Sequence, residues 1–217
     1  MPTYSLNLLF DPADLQTIYA AGEQVVVARA FSDSDSNVAW VVFAPLVSNQ
    51  VSWQDSYGLY ASRSSGSITM SATTDVGIPS GTYYNLTPQG TFDGPFKGAE
   101  APPAGSYRAF NQMTSYPYFN SGLIQAATVN GTAVAAGPTT TVVVPASQFG
   151  TFTPQSTVYV WLQSHIAAGA AVQVPPPAMT AVGSVSSPST MIQFPSGTTS
   201  LTYRYDAKTA SFLPAGG

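Results

Sequence analysis

Apolar and polar residues follow two patterns along this chain, and both patterns predict β-strands. At 38–43 and 158–162 the apolar residues form unbroken runs, which are typical of central strands covered on both faces. At 51–59 and 201–205 apolar residues alternate with polar ones, which indicates strands with one face in the core and one in solvent. The chain is therefore predicted to consist mainly of short strands.

Two local signals predict a turn and a helix. Asn130-Gly131 lies between strand-forming residues and predicts a type I′ hairpin turn, in which both central residues have positive φ. Near the N-terminus, Asp11 precedes Pro12, and Gly22 follows two alanines. This order predicts one short helix that begins at the proline and stops before the glycine, or else a pair of turns.

Regular punctuation by 18 prolines and 18 glycines leads to a prediction of fold class. We predict an all-β protein, an antiparallel two-sheet β-sandwich of jelly-roll or Ig-like type with one short N-terminal helix, and a closed barrel is the alternative. Residues 1–217 are expected to form a single β-sandwich domain. A connection rich in Gly, Pro and Ala at 94–105 marks the place of an internal boundary, if the chain has one.

The distribution of charge narrows the range of functions. Only 7% of the residues are charged, and the segment 109–203 contains no Asp, Glu, Lys or Arg, whereas an average domain is about 25% charged. Most hydrolytic, phosphoryl-transfer and metal chemistry depends on such residues, so we expect the protein not to be an enzyme and to have no metal and no cofactor. A net charge of −4 with scattered cations also disfavours nucleic acid as a partner.

The sequence gives less information on the cellular compartment of the protein. The chain has no cysteine, and its first residues show neither a basic region nor a cleavable apolar stretch. The localisation is therefore unknown, with a cytoplasmic protein or release by a route other than Sec as the expectation. No apolar run approaches the 18 or so residues of a spanning helix, so insertion into a membrane by helices is not expected.

Three possible sites of catalysis or metal binding have ordinary structural explanations. His165 is the only histidine, and a catalytic triad would need Asp33, Asp55 or Asp75 to reach it in space. We therefore expect a histidine at a strand end. The sequence Asp-Ser-Asp-Ser-Asn at 33–37 copies the start of a calcium loop, and it is either a solvated acidic turn or a calcium site at the edge of a sandwich.

Asp55 interrupts an apolar face and calls for a separate explanation. A bulge, or an ion pair with Arg29 or Arg63, would account for a carboxylate in this position. A glycosidase would require a second carboxylate in a similar setting, and the sequence offers none.

An aromatic stretch at 107–120 supplies the best candidate for ligand binding. Tyr116, Tyr118, Phe119 and Asn120 surround a proline that favours a loop. Rings that stack on sugar faces, together with amides that give directional hydrogen bonds, suit a neutral glycan. A second candidate pair, Trp53 and Tyr57, lies in the alternating segment at 51–59.

Several landmarks of the chain resemble those of RhiA-type bacterial proteins. They are an Ala-Trp strand at 38–43, then Trp53 and Tyr57, a Phe-Thr-Pro at 152–154 before an aromatic strand, and a Phe-Pro-Ser-Gly turn at 194–197. The resemblance implies β architecture and assigns no site residue.

Two hypotheses of function follow from this sequence. The first is a non-catalytic binding protein, lectin-like or toxin-like, that recognises a neutral glycan or a cell surface through aromatic loops as a homo-oligomer. The alternative is a self-assembling structural protein, such as a fibre, shell or inclusion component, that uses its uncharged surface. Surface charge normally keeps soluble proteins apart, and an uncharged segment removes that repulsion.

Overall fold

A computed structural model describes residues 2–32, 37–64, 67–174 and 187–216. The described residues form one helix and nineteen strands, so the prediction of an all-β protein with a short N-terminal helix is confirmed. The elements in chain order are β1 (Thr3–Leu9), α1 (Pro12–Ala20), β2 (Glu23–Phe31), β3 (Asn37–Val38), β4 (Val41–Phe43), β5 (Ser48–Gln54), β6 (Gly58–Ser62), β7 (Met70–Thr73), β8 (Thr82–Leu86), β9 (Phe92–Phe96), β10 (Tyr107–Asn111), β11 (Tyr118–Val129), β12 (Thr132–Pro138), β13 (Val142–Pro145), β14 (Phe149–Phe152), β15 (Pro154–Ser164), β16 (Ala171–Val172), β17 (Thr190–Gln193), β18 (Ser200–Asp206) and β19 (Ser211–Pro214).

The arrangement of the sheets differs from a simple sandwich. Within the described ranges, the largest sheet has nine strands in the order β19-β18-β1-β5-β11-β6-β7, with β12 and β13 also paired to β11. Two four-stranded sheets have the orders β14-β10-β8-β9 and β17-β15-β2-β4, and β16 and β3 form a two-stranded ribbon. The pairs β1–β18 and β8–β10 are parallel. The predicted antiparallel two-sheet sandwich of jelly-roll or Ig-like type is therefore wrong, because the sheets are mixed and more than two.

Of the two unbroken apolar runs, one is a central strand and the other is not. Residues 158–162 lie in β15 between β2 and β17, as predicted. Residues 38–43 are divided between β3 and β4, because Ala39 N donates to Ala170 O at 2.9 Å and Trp40 N donates to Val27 O at 2.9 Å. The Trp40 indole is buried and its Nε1 donates to Gln125 O at 2.9 Å, so the break fixes this ring in the core.

Both local predictions are confirmed. Asn130 and Gly131 have φ of 51° and 80° and join β11 to β12 as a two-residue turn of the I′ kind. Helix α1 starts at Pro12, and Gly22 follows it with φ of 65°. Asp11 makes no side-chain capping bond. Its Oδ1 instead accepts a hydrogen bond from Arg204 Nη1 at 2.8 Å.

The four-stranded sheet β14-β10-β8-β9 includes the strands that flank the 94–105 connection. It takes strands from both sides of that connection, while the division of the chain into domains stays a prediction. A small apolar cluster joins this sheet to the nine-stranded one and contains Ala61, Leu86, Met113, Phe119 and Val144. These residues are at most 7% exposed, so the cluster forms a small core between the two sheets.

Candidate functional site

The aromatic stretch predicted from sequence lies where a loop enters the longest strand. Tyr116 belongs to the loop, and Tyr118 is the first residue of β11. Their side chains are 38% and 54% exposed, as a ligand contact requires. Phe119 and Asn120 are 3% and 7% exposed, and Asn120 Nδ2 donates to Ser64 O at 2.7 Å. The structure thus leaves two of these four residues at the surface and buries two.

Tyr116 and Tyr118 line a groove of about 170 Å³, which we call the tyrosine groove. Its apolar lining residues are Ala61, Ala72, Leu86, Met113 and Phe119, and its other lining residues are Arg63, Ser71, Gln89 and Gly90. Pockets for drug-sized ligands usually measure about 300 Å³ or more. The tyrosine groove therefore suits a small unit such as one monosaccharide of a longer chain.

Arg63 gives the tyrosine groove its charge. Its Nη1 donates to the Tyr116 hydroxyl oxygen at 2.8 Å, and its guanidinium carbon lies 3.9 Å from the centroid of the same ring. The ion pairs in the described parts of the chain are Arg29–Asp55 and Arg204–Asp11, so Arg63 has no carboxylate partner there. Arg63 is exposed and lines the groove beside the Tyr116 ring.

Trp53 and Tyr57 lie elsewhere, and both are only 3% exposed. Trp53 stacks on Tyr4 with a centroid distance of 5.8 Å and packs edge-on against Trp40 at 5.7 Å. It lines a cavity of about 300 Å³, whereas Tyr57 lines another of about 280 Å³. The structure therefore does not bring this second pair to the tyrosine groove, and their packing gives both rings a role in the core.

Tyr57 belongs to a buried polar centre that surrounds Arg29, a residue only 2% exposed. Arg29 Nη2 donates to Asp55 Oδ1 at 3.2 Å, to the Tyr57 hydroxyl at 2.7 Å and to Gln155 O at 3.2 Å. The Tyr57 hydroxyl donates in turn to Asp55 Oδ1 at 3.1 Å. The predicted ion pair of Asp55 with Arg29 is confirmed. The alternative pair with Arg63 is wrong, because Arg63 stacks on Tyr116.

The aromatic surroundings of Arg29 explain how a cation is tolerated there. Its guanidinium carbon lies 5.4 Å from the Trp53 ring centroid and 6.0 Å from that of Trp40, and both distances allow cation–π attraction. Burial raises the pKa of Tyr57, an effect that Arg29 opposes and Asp55 reinforces, so the phenol stays a neutral donor. The centre can hold β2, the β5–β6 connection and β15 together, and the cavity of about 280 Å³ beside it is also lined by Tyr107.

The remaining candidates from sequence lie outside both places. His165 follows β15 directly, as predicted for a histidine at a strand end, and is exposed with φ of 54°. Asp33, Asp35 and the two serines of the possible calcium loop lie outside the described residues, so that alternative stays a prediction. In the part of the chain that the structure describes, no three His, Asp or Glu side chains come together as metal ligands would.

Seven residues that line the tyrosine groove lie outside the aromatic stretch at 107–120, and the polar ones among them are Arg63, Ser71 and Gln89. They come from the segments around β6, β7 and the β8–β9 turn, and no local pattern links them to Tyr116. Met113, by contrast, lies within the aromatic stretch that the sequence singled out.

Comparisons with known proteins add no identification. No protein-family model, curated protein or solved structure matches this chain. The resemblance to RhiA-type proteins stays a prediction. Within the described ranges, no helix has the length and apolar character needed to cross a membrane.

Proposed function

We propose that this protein is a non-catalytic binding protein, lectin-like or toxin-like, that recognises a neutral glycan or a glycan-bearing cell surface through the tyrosine groove. The observation that carries the proposal is the exposure of Tyr116 and Tyr118, at 38% and 54%, beside a groove that both apolar and polar side chains line. We further propose that it acts as a homo-oligomer, because several weak sugar sites on one assembly bind a surface far more tightly than one site.

The chemistry of the tyrosine groove supports a sugar ligand over most other small molecules. A sugar ring has apolar faces edged by hydroxyl groups. An exposed tyrosine offers a flat surface for such a face, and the amide of Gln89 can donate to and accept from sugar hydroxyls. Ser71 Oγ donates to Ala61 O at 3.0 Å and can accept from a sugar hydroxyl. Small volume, exposed rings and neutral polar groups all fit one monosaccharide unit.

Alanine substitution of each tyrosine tests the proposal. A glycan array identifies a bound oligosaccharide, and calorimetric titration with that oligosaccharide compares the wild type with Tyr116→Ala and Tyr118→Ala. We expect Tyr118→Ala to weaken binding by about tenfold or more, since aromatic anchors of a binding site commonly cost above 1.4 kcal/mol when truncated. Tyr19→Ala is the matched control, because Tyr19 is 49% exposed but lies on α1 outside the groove.

Two results would contradict the proposal. Unchanged affinity in both groove variants would exclude the tyrosine groove as the binding site. Absence of any glycan ligand for the folded protein would favour the alternative, a self-assembling structural protein. Val143 and Met191 support that alternative, because they are 59% and 61% exposed apolar residues within the uncharged segment, and particle size in solution would then be the deciding measurement.

A further inference from the structure

Arg63 is the only charged side chain among the described residues that line the tyrosine groove. It lies outside the uncharged segment 109–203 in sequence and is brought to Tyr116 by the pairing of β6 with β11, in which Ser62 is opposite Asn120. A groove built from residues of the 109–203 segment alone would carry no charge. The assembled groove contains one cation.

We infer that the tyrosine groove binds a glycan whose contacting monosaccharide carries a carboxylate, a sugar acid of the uronate or sialate class. This inference rests on the proposed binding of a glycan at the tyrosine groove, and it replaces the neutral sugar at the point of contact by an acidic one. A neutral sugar could fill the groove and contact its rings, but it would offer no carboxylate to Arg63, which forms no ion pair within the described residues.

The geometry of Arg63 suits a carboxylate. A guanidinium has five N–H donors in a planar fork that matches the two oxygens of a carboxylate. Within the described residues, the hydrogen bond that fixes Arg63 is the one from Nη1 to the Tyr116 hydroxyl. Because the guanidinium carbon also lies 3.9 Å from the centroid of that ring, the side chain is partly ordered before a ligand arrives, and less conformational entropy is lost on binding.

The size and charge of the groove favour a sugar acid over a phosphate ligand. Proteins bind phosphate groups mainly through clustered cations, whereas this groove has a single arginine and the whole chain has a net charge of −4. One carboxylate neutralises one arginine. The ring of the same monosaccharide can then lie against Tyr118, which is the more exposed of the two tyrosines.

Matched pairs of acidic and neutral sugars test the inference. The probes are oligogalacturonides with their methyl esters, and sialyllactose with lactose, so that each acid is compared with a nearly isosteric or truncated neutral partner. Calorimetric titrations use the wild type, Arg63→Gln and Arg63→Lys. Arg108→Gln is the control, because Arg108 lies over Phe149 at 5.1 Å and does not line the groove.

We expect the wild type to bind one of the acids about tenfold to a hundredfold more tightly than its neutral partner, the range of a charge-assisted hydrogen bond. Arg63→Gln should lose this preference, so that the acid and its neutral partner bind with similar affinity, and its urea midpoint should stay close to that of the wild type because Arg63 is exposed. Arg63→Lys should keep part of the preference, and Arg108→Gln all of it. The pair that shows the preference identifies the sugar acid as a uronate or a sialate.

Three outcomes would overturn the inference. Equal affinity of the wild type for acid and neutral partners, or a preference that survives in Arg63→Gln, would reject the sugar acid while leaving glycan binding at the tyrosine groove in place. Failure of all four probes and of a glycan array, with the protein folded, would reject the proposed function and the inference with it.

Discussion

Replacing Arg29 by methionine should destabilise the protein more than any other single removal of charge. Methionine keeps the unbranched chain and removes the guanidinium. The side chain of Arg29 is 2% exposed, and its loss leaves Asp55, the Tyr57 hydroxyl and Gln155 O without their common donor. Removing one member of a fully buried ion pair typically costs about 3 to 5 kcal/mol, and the 36% exposure of the Asp55 side chain places the expected loss at the lower end of that range.

Distance and exposure set the expected size of the coupling between Arg29 and Asp55. Unit charges 3.2 Å apart attract by about 5 kcal/mol at an effective dielectric constant of about 20. Water reaches Asp55, whose side chain is 36% exposed, so we expect about half of that attraction to remain. Arg29→Met should therefore lower the free energy of unfolding by about 3 kcal/mol. In a double-mutant cycle with Asp55→Asn, the coupling energy between the two residues should be about 2 kcal/mol.

Urea denaturation followed by tryptophan fluorescence measures these energies, because Trp40 and Trp53 lie beside Arg29. The control cycle uses Arg204→Met and Asp11→Asn. That ion pair is shorter, at 2.8 Å, but its side chains are 50% and 61% exposed, so its coupling should stay below about 1 kcal/mol. A loss under about 1 kcal/mol in Arg29→Met, or equal coupling in the two cycles, would refute the conclusion that burial makes the Arg29 centre important.

Two further predictions concern packing and alkaline stability. Gly122→Ala should lower the free energy of unfolding, measured by urea denaturation, by more than about 3 kcal/mol, because the added Cβ would overlap Thr140 O and lie 2.8 Å from a Tyr60 ring carbon. The control Gly137→Ala should lower it by less than about 1 kcal/mol, because its Cβ meets no atom closer than 3.9 Å. Similar losses in the two variants would contradict this prediction. Burial raises the pKa of Tyr205 to about 12, above its unfolded value of about 10, so its contribution to stability is complete below about pH 10 and is lost as the pH rises through the folded value. Tyr205→Phe should therefore reduce the fall in urea midpoint between about pH 9 and pH 11.5, and an unchanged fall would count against a buried, protonated phenol.

Local features of this fold could be predicted from sequence because their causes are local. The Asn130-Gly131 turn depends on two residues that tolerate positive φ, and the start of α1 depends on Pro12 at its first turn. The burial of Val51 and Trp53 beside the less buried Ser52 and Gln54 follows from the period of a strand.

Sheet composition could not be predicted in the same way. Alternation indicates which residues face the core, but it does not indicate which strand lies next to which. In the register of β1 with β18, Leu6 is opposite Leu201, two residues separated by most of the chain. That parallel pairing is what places the C-terminal strands in the nine-stranded sheet, and neither strand has a local signal for it.

The same difference between local and long-range causes applies to the candidate site. Exposure of Tyr116 and Tyr118 follows from the proline between them, which keeps the approach to β11 out of regular pairing. The burial of Trp53 and Tyr57 depends on packing partners from β1, β2 and β10, and the sequence gives no indication of those contacts. Arg63 reaches the tyrosine groove only because β6 pairs with β11.

The positions of the arginines explain how a chain with so few charges uses them. Three of its four arginines lie over aromatic rings: Arg29 over two tryptophans, Arg63 over Tyr116 and Arg108 over Phe149. Attraction between a cation and a neutral ring acts at short range, whereas salt screens charges that attract each other through solvent. Added salt should therefore change the stability of the fold little. The one arginine that is both exposed and part of a groove is Arg63, so a dependence on ionic strength that appears only in the binding of carboxylated sugars would come from Arg63.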